Sequence, residues 1–430
     1  MNLVSSVRQQ IENKTFSSDD LVAAERLVAD SLTCCVGALA SSSARPLIDW
    51  ARSQPASALR NAWLLAGLSN LLELDSMHVA SAVHPGTVVV PAALAVAAEV
   101  DATYTALLQA VLRGTEAAAW LGRATGKPHR QRFQSTSTCG GFGASLACAD
   151  LYGMPAAQRD FGMANVLSTA GGLWAFVDVE SGTKQWHAGH AAHSAVFCAQ
   201  LARAGLTGPL NVIESPRGFL ATLCEGSAPA ELQPKEKPWA AHELAYKPWP
   251  SPRPTHPAIH VALKARELCW PCEIRQIIVR TFGQAVDLCN RPVVRNAHEA
   301  RFSLQFLTAA ALRFGKIDLK TFEPEIIDSV SKDTALISVE VDEAMNARYP
   351  AESPAAVEIF TADGGRYLAE TDFAPGDPAM PLDQEQERAK RDMLLCGSTR
   401  LEEEFAAFGD GLQPLRDKLN SLFSCVELAM

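Results

Sequence analysis

No run of this sequence is both apolar enough and long enough to cross a bilayer. The longest, Val88 to Ala98, falls short of a span and contains Pro91, and it reads as a buried helix entered through a proline. Basic residues are outnumbered, with 38 Lys and Arg against 48 Asp and Glu for a net charge of −10. The dense basic footprint that nucleic acid or an anionic membrane requires is therefore missing. The opening MNLVSSVRQQIENK lacks a basic segment followed by an apolar core, so a secretory leader is not expected and the protein is read as cytoplasmic. No GxxxxGK[ST] phosphate loop and no GxSxG elbow occurs. Gly140-Gly-Phe-Gly143 lacks a preceding strand and the spacing of a dinucleotide loop, and helix packing accounts for it better. Phosphoryl transfer, hydride transfer and serine hydrolysis lose their signatures together.

Disulfides are not expected either. The 11 cysteines are odd in number and scattered, so reduced thiols are the default. Cys34 and Cys35 sit in an apolar helical pattern as small core residues. Cys269-Trp-Pro-Cys272 has the spacing of a redox or zinc pair but no second pair beside it.

What is present is an ordinary globular balance, 48% hydrophobic and 20% charged, in a chain of 430 residues that exceeds one hydrophobic core. Leu21, Ala24, Val28, Leu32 and Cys35 recur at helical spacing, as do Tyr104, Leu107, Leu108, Val111 and Leu112. Alanine-rich runs such as VVVPAALAVAAEV and FGASLACADLYG suit closely packed helices. Residues 1–242 are thus expected to be helical, closed by a surface connection at Pro234-Lys-Glu-Lys-Pro238. Residues 243–376 read as α+β: a helix from His256 to Leu268, a strand begun by Ile274, Ile277 and Val279, and a helix from Ala297 to Phe314. Strands with alternating burial follow at Ile337, Val339, Val341 and at Val357, Ile359, with a hairpin turn at Asp363-Gly-Gly365. A charged helix near Asp383–Leu395 and an amphipathic stretch after it make residues 377–430 a return to the helical domain, and the α+β part an insertion.

Three clusters carry possible chemistry. Glu73-Leu-Asp75-Ser-Met-His78 precedes His84-Pro85-Gly86, where the proline is read as a helix stop that lets the His84 ring point into a cleft. The second cluster is Lys184-Gln-Trp-His187-Ala-Gly-His190-Ala-Ala-His193. Its histidines step by three, falling about 60° short of a turn each time, and no acid or thiol lies near, so no metal site is expected. Lys184, placed before a tightly packed helix, is expected to be partly desolvated, which would favour acid–base use. The third, Lys247-Pro-Trp-Pro-Ser-Pro-Arg253-Pro-Thr-His256, is a stiff cationic strap suited to carboxylates.

In chain order these clusters resemble the MmgE/PrpD family, which includes 2-methylcitrate dehydratases, cis-aconitate decarboxylases and iminodisuccinate epimerase. The family's DxDDTH…HPG stretch is similar to Glu73 through His78 and His84-Pro85-Gly86. Its KxxHxGxAA stretch matches Lys184, His187, Gly189, Ala191 and Ala192, followed by LARAGLTGP at 201–209. Its strap matches Lys247, Pro250, Arg253, Thr255 and His256, and Asn290-Arg-Pro with Ala297-His298-Glu-Ala-Arg301-Phe-Ser303 resembles a further signature. The resemblance implies a helical domain built from both chain ends, an inserted α+β lid, a cleft between them, a homodimer, and chemistry without metal or cofactor. It also implies His84 and Lys184 as the acid–base pair, with Asp75, His78, Lys247, Arg253 and His256 binding a small di- or tricarboxylate.

The departures bear on the reaction. Glu73 and Ser76 replace family aspartates, Met77 a threonine, Gln134 and Pro252 histidines, and Phe306 a tyrosine. A lyase of the dehydratase or decarboxylase type is expected from the family's commoner members. An epimerase is the alternative, because proton-bearing groups are missing, and a non-catalytic metabolite-binding homologue is the third reading.

Overall fold

The computed structural model describes residues 2–225, 238–269 and 271–395. It is 62% helical, with 17 α-helices and sheets of 2 and 4 strands among the described residues, so the fold is mostly α with an α+β part. By internal contacts the chain divides into two units, one running to Ala245 and resuming at Leu394, the other Tyr246–Met393.

The first unit contains α1 (Leu3–Asn13), α2 (Ser18–Ala38), α3 (Arg45–Arg52), α4 (Ala58–Ser69), α5 (Pro85–Val100), α6 (Tyr104–Arg130), α7 (Ser135–Leu151), α8 (Ala156–Ser168), α9 (Thr183–Arg203) and the short α10 (Phe219–Leu223). A two-residue ribbon joins β1 (Met77–His78) to β2 (Leu244–Ala245). Ser17 and Asp20 form a capping box that starts α2, satisfying amides with no intrahelical partner. Helix α7 lies at the centre, packed by α5, α6, α8 and α9, and every residue from Ser135 to Ala149 is buried. A helix buried on all sides needs small side chains where its neighbours approach most closely. A Cβ on Gly143 would overlap the Gly114 carbonyl of α6, and one on Gly140 would press on Val88 of α5. The GGFG run is therefore a packing device.

Two expectations for this unit are corrected. Helix α5 begins at Pro85, at the first helical position where a missing N–H costs nothing, so His84 caps a helix start and does not mark a stop. Pro91 lies inside that helix and is not its entry. The connection at 234–238 lies, except for Pro238, outside the described residues.

The second unit holds α11 (His256–Cys269), β3 (Ile274–Thr281), α12 (Gly283–Cys289), α13 (Ala297–Arg301), α14 (Leu304–Phe314), α15 (Pro324–Val330), β4 (Ile337–Val341), α16 (Glu343–Arg348), β5 (Ala355–Thr361), β6 (Arg366–Thr371) and α17 (Gln384–Leu395). Its sheet has the order β4-β3-β5-β6, with β3 and β4 parallel and the other pairs antiparallel. Helices α11 and α14 pack on each other and on the sheet. The single helix expected over 297–314 is two, because Ser303 turns extended and its hydroxyl accepts the Phe306 amide, starting α14 afresh. Strand β5 is not half-buried as its alternation suggested: Glu358 is only 2% exposed, covered by Arg280 at 2.9 Å and by Arg366. Ion pairing thus buries a carboxylate on the polar face. The amphipathic stretch after Leu395 lies outside the described residues.

Two outcomes follow for stability. Gly143→Ala should lower stability by about 2 kcal/mol or more, as overpacking does, measurable by urea denaturation; an unchanged midpoint would refute the close approach. His129 is buried between Thr138 (2.7 Å) and the Leu223 carbonyl (3.2 Å), and burial, reinforced by Arg130, lowers its pKa to about 4. Folded His129 thus stays neutral while the unfolded ring protonates below about pH 6.5. Its contribution is intact above that pH and is lost as pH falls towards 4, by about 3 kcal/mol at most. Thermal denaturation between pH 7.5 and 4.5 should show a shallower acid loss in His129→Gln than in the parent.

Candidate active site

The segment between α4 and α5 is pinned by the buried apolar side chains Leu72, Leu74 and Val83. Between them the backbone exposes no polar residue freely. Glu73 adopts a left-handed conformation (φ 58°), uncommon without a glycine, and its buried carboxylate pairs with the Lys184 ammonium in the first turn of α9. The Lys184 side chain is only 11% exposed, so the desolvation expected of it is present together with a counter-ion. Asp75, 1% exposed, accepts from Asn70 Nδ2 (2.7 Å) and Thr87 Oγ1 (2.6 Å), tying the loop to the ends of α4 and α5.

His78 has no exposed surface. Its Nδ1 accepts the Ser81 amide at 3.1 Å, and its Nε2 lies 3.0 Å from Glu243 Oε2. Burial is the main cause that lowers its pKa, with Glu243 opposing. Glu243 belongs to a buried network in which Arg123 lies 3.6 Å from Glu243 and 3.7 Å from Glu116, and Lys14 lies 3.1 Å from Glu116. This network ties the segment after α1 to α6 and to the β1–β2 ribbon.

His84 is half-buried at the N-cap of α5. Its backbone N–H donates to Thr136 Oγ1 at 3.2 Å, and its ring Nδ1 lies 2.7 Å from the same oxygen. Thr136 sits in the first turn of α7. Two residues earlier, Gln134 Oε1 lies 3.0 Å from His187 Nδ1, and His187 is one turn along α9 from Lys184. Burial lowers the His187 pKa, and neighbouring His190 adds to it. Hydrogen bonds and short stretches of chain thus link Glu73, Lys184, His187, Gln134, Thr136 and His84 into one circuit. The other two α9 histidines diverge from it: His190 stacks on Trp186 (4.9 Å, 4° between planes), and with His193 lines a groove of about 780 Å³ beside Trp50 and Trp63. Among the described residues no group of three His, Cys, Asp or Glu side chains is placed to hold a metal.

In the second unit the strap is not a surface feature. Lys247, Arg253 and His256 are each under 5% exposed. Arg253 Nη2 donates to Asp377 at 2.7 Å, while its buried Nε and Nη1 find no acceptor among the described residues. His256 opens α11, its Nε2 lies 3.1 Å from the Ser251 carbonyl, and burial followed by the charges of Arg253 and Lys247 pushes its pKa well down. The Tyr246 amide donates to the Gly376 carbonyl at 2.8 Å. A Cβ at Gly376 would overlap the Tyr246 carbonyl, and its φ of 87° suits glycine. The 374–380 turn therefore holds the strap, with Asp377 as its anion. The CxxC pair is a pair of free thiols, with Cys269 pushed up to about 12 by burial and then by its hydrogen bond with Cys272.

The sequence motifs do not single out Asn70, Thr87, Thr136, Glu243 or the pairing role of Asp377. Asp377 had a signal, since Gly376-Asp-Pro marks a turn, but nothing in the sequence pairs it with Arg253.

Comparison with known proteins agrees with the residue motifs. The profile of the MmgE/PrpD N-terminal domain matches residues 8–232, and that of the C-terminal domain residues 249–408. Cis-aconitate decarboxylase of Mus musculus is 25% identical over 296 residues, 63% of this chain and 57% of the mouse protein. That of Homo sapiens is 27% identical over 277 residues, 59% and 54% of the two chains. The alignments thus span little more than half the length of these relatives. With a profile covering more than half of the sequence, and the ordered motifs standing where its buried polar groups meet, the chain belongs to the MmgE/PrpD family.

Proposed function

We propose that the protein is a lyase acting on a small di- or tricarboxylate by proton transfer at a carbon beside a carboxylate. The family and its decarboxylase relatives support lyase chemistry in general. The observation that carries the specific reading is the circuit joining the Glu73–Lys184 pair to the Thr136–His84 pair. Removing a proton beside a carboxylate leaves charge on its oxygens, which fixed donors must stabilise. His84 and Lys184 form the proton-handling pair, and each belongs to a residue type suited to such work when buried.

Asp75 and His78 remain in the proposal on the substrate-binding side, with Asp75 Oδ2 and the His78 ring also holding the loop that carries Glu73 and His84. Lys247, Arg253 and His256 stand in the proposal as carboxylate-binding groups. The buried Nε and Nη1 of Arg253, which find no acceptor among the described residues, support that role, because orphaned donors in a native fold call for an acceptor. With a β-leaving group on the substrate, the carbanion collapses to an alkene. Without one, return of the proton on the opposite face gives an epimer. Gln134, Pro252 and Phe306, which carry no titrating proton, favour this second outcome more than in a family member with histidine and tyrosine there.

Incubation with a panel of di- and tricarboxylates in D₂O, followed by NMR, tests the reading. An alkene product supports the lyase, deuterium wash-in without net conversion supports the epimerase, and neither across the panel leaves the non-catalytic homologue. On the active substrate, Lys184→Ala and His84→Ala should each lower kcat by about 100-fold or more; full turnover in both would remove the assignment. Arg253→Lys, which keeps charge but loses the planar donors, should raise KM about 10-fold with kcat less affected.

A further inference from the structure

Thr136 lies 3% exposed in the first turn of α7, and its single hydroxyl faces two nitrogens of one residue. The backbone N–H of His84 can only donate, so at 3.2 Å it occupies one lone pair of Oγ1. The hydroxyl hydrogen must then find an acceptor. The usual outlet for a helical threonine, a carbonyl one turn back, is used by Thr33 towards Ala29 at 2.7 Å but not by Thr136. The acceptor in reach is the His84 ring Nδ1 at 2.7 Å. If Nδ1 carried a proton instead, a buried O–H would go without an acceptor, a loss on the order of 1–3 kcal/mol.

We propose that Thr136 is a positioning residue that fixes His84 as a neutral imidazole protonated at Nε2, so that His84 serves as the hydrogen-bond donor to the developing oxyanion. The proposal rests on the functional reading above and divides its proton-handling pair. A neutral imidazole already protonated at Nε2, with Nδ1 occupied, has no free lone pair with which to take a proton from carbon, but it is a good electrophilic donor. Removal of the carbon-bound proton then falls to the Lys184–Glu73 pair: as the ammonium passes one proton to the Glu73 carboxylate, the freed Nζ lone pair takes the proton from carbon. The proton moves from carbon to Nζ, the C–H electron pair spreads onto the carboxylate oxygens, and Nε2–H of His84 bonds to one of them without giving up its hydrogen. Glu73 is left as a carboxylic acid beside the Lys184 ammonium, so the pair holds the proton taken from carbon. The electrons next expel a β-leaving group, or the carbon is protonated again.

The test begins on the resting full-length protein without substrate. Ring-¹⁵N-histidine NMR, with the His84 signals identified by their loss in His84→Asn, reads the tautomer directly. The expected result is an unprotonated Nδ1 and a protonated Nε2 at pH 7. Thr136→Val should mix the tautomers and raise the pH at which His84 protonates, and Thr136→Ser should restore the parent pattern. An Nδ1–H tautomer or an imidazolium in the parent protein overturns the proposal whether or not the valine variant folds, as does an unchanged pattern in a folded Thr136→Val. On the active substrate, Thr136→Val should lower kcat about 10-fold or more and move the acid limb of the pH profile, with KM little changed and recovery in Thr136→Ser. Full activity in His84→Ala would defeat the functional reading whatever the tautomer. An inactive His84→Ala combined with the wrong tautomer would defeat this proposal alone.

Discussion

Helix α7 has no side turned to solvent along most of its length, and this constraint shapes the rest of the first unit. Four helices pack around it, which is possible only where Gly140, Gly143 and neighbouring small residues let backbones approach. A helix so enclosed still begins with amide groups that lack intrahelical partners and with polar side chains that must be satisfied. Its first turn, Ser-Thr-Ser-Thr after Gln134, delivers those groups to the loop before α5 and to the start of α9. Thr136 meets His84 and Gln134 meets His187 for that reason. Packing at the middle of the helix fixes chemistry at its end.

Charge in this protein is handled by burial in pairs. Glu73 with Lys184, Arg253 with Asp377, and Glu116 with Lys14 and Arg123 place both partners where water is scarce, while Glu358 is buried against arginines that reach solvent. Pairs buried on both sides are weak sources of stability, since desolvation offsets most of their attraction, but breaking one partner leaves a costly lone charge. They hold loops in one arrangement. The segment 73–86 carries a left-handed Glu73, a fully engaged His78 and a doubly bonded Asp75, so little of its geometry is left free. A rigid loop of this kind suits the proton transfer proposed above, where misplacement of a donor or acceptor by an ångström is expensive.

Much of the architecture could be read from residue patterns. Helical spacing located α2 and α6, apolar alanine-rich runs located α5 and α7, an apolar run located β3, period-two alternation located β4 and β5, and Asp363-Gly-Gly365 located the hairpin to β6. The errors have local causes. A proline reads equally as a stop or a start, and only the chain before it decides that Pro85 begins a helix. Ser303 looks like any polar residue on an amphipathic helix, yet it breaks one helix and caps the next. The alternation at Val357 and Ile359 suggested one buried face, and it does not show that arginines of the neighbouring strands β3 and β6 cover Glu358.

The sequence by itself determined the family, the mostly helical class and the residue types available for proton transfer, because those properties are encoded in local spacing and ordered motifs. Only the tertiary structure decided what each of those residues touches. Glu73 and Lys184 are separated by 111 positions, His84 and Thr136 by 52, and Arg253 and Asp377 by 124. No short-range pattern specifies such pairings, since they arise when buried polar groups with unmet hydrogen bonds are brought together by the packing of helices and turns around them.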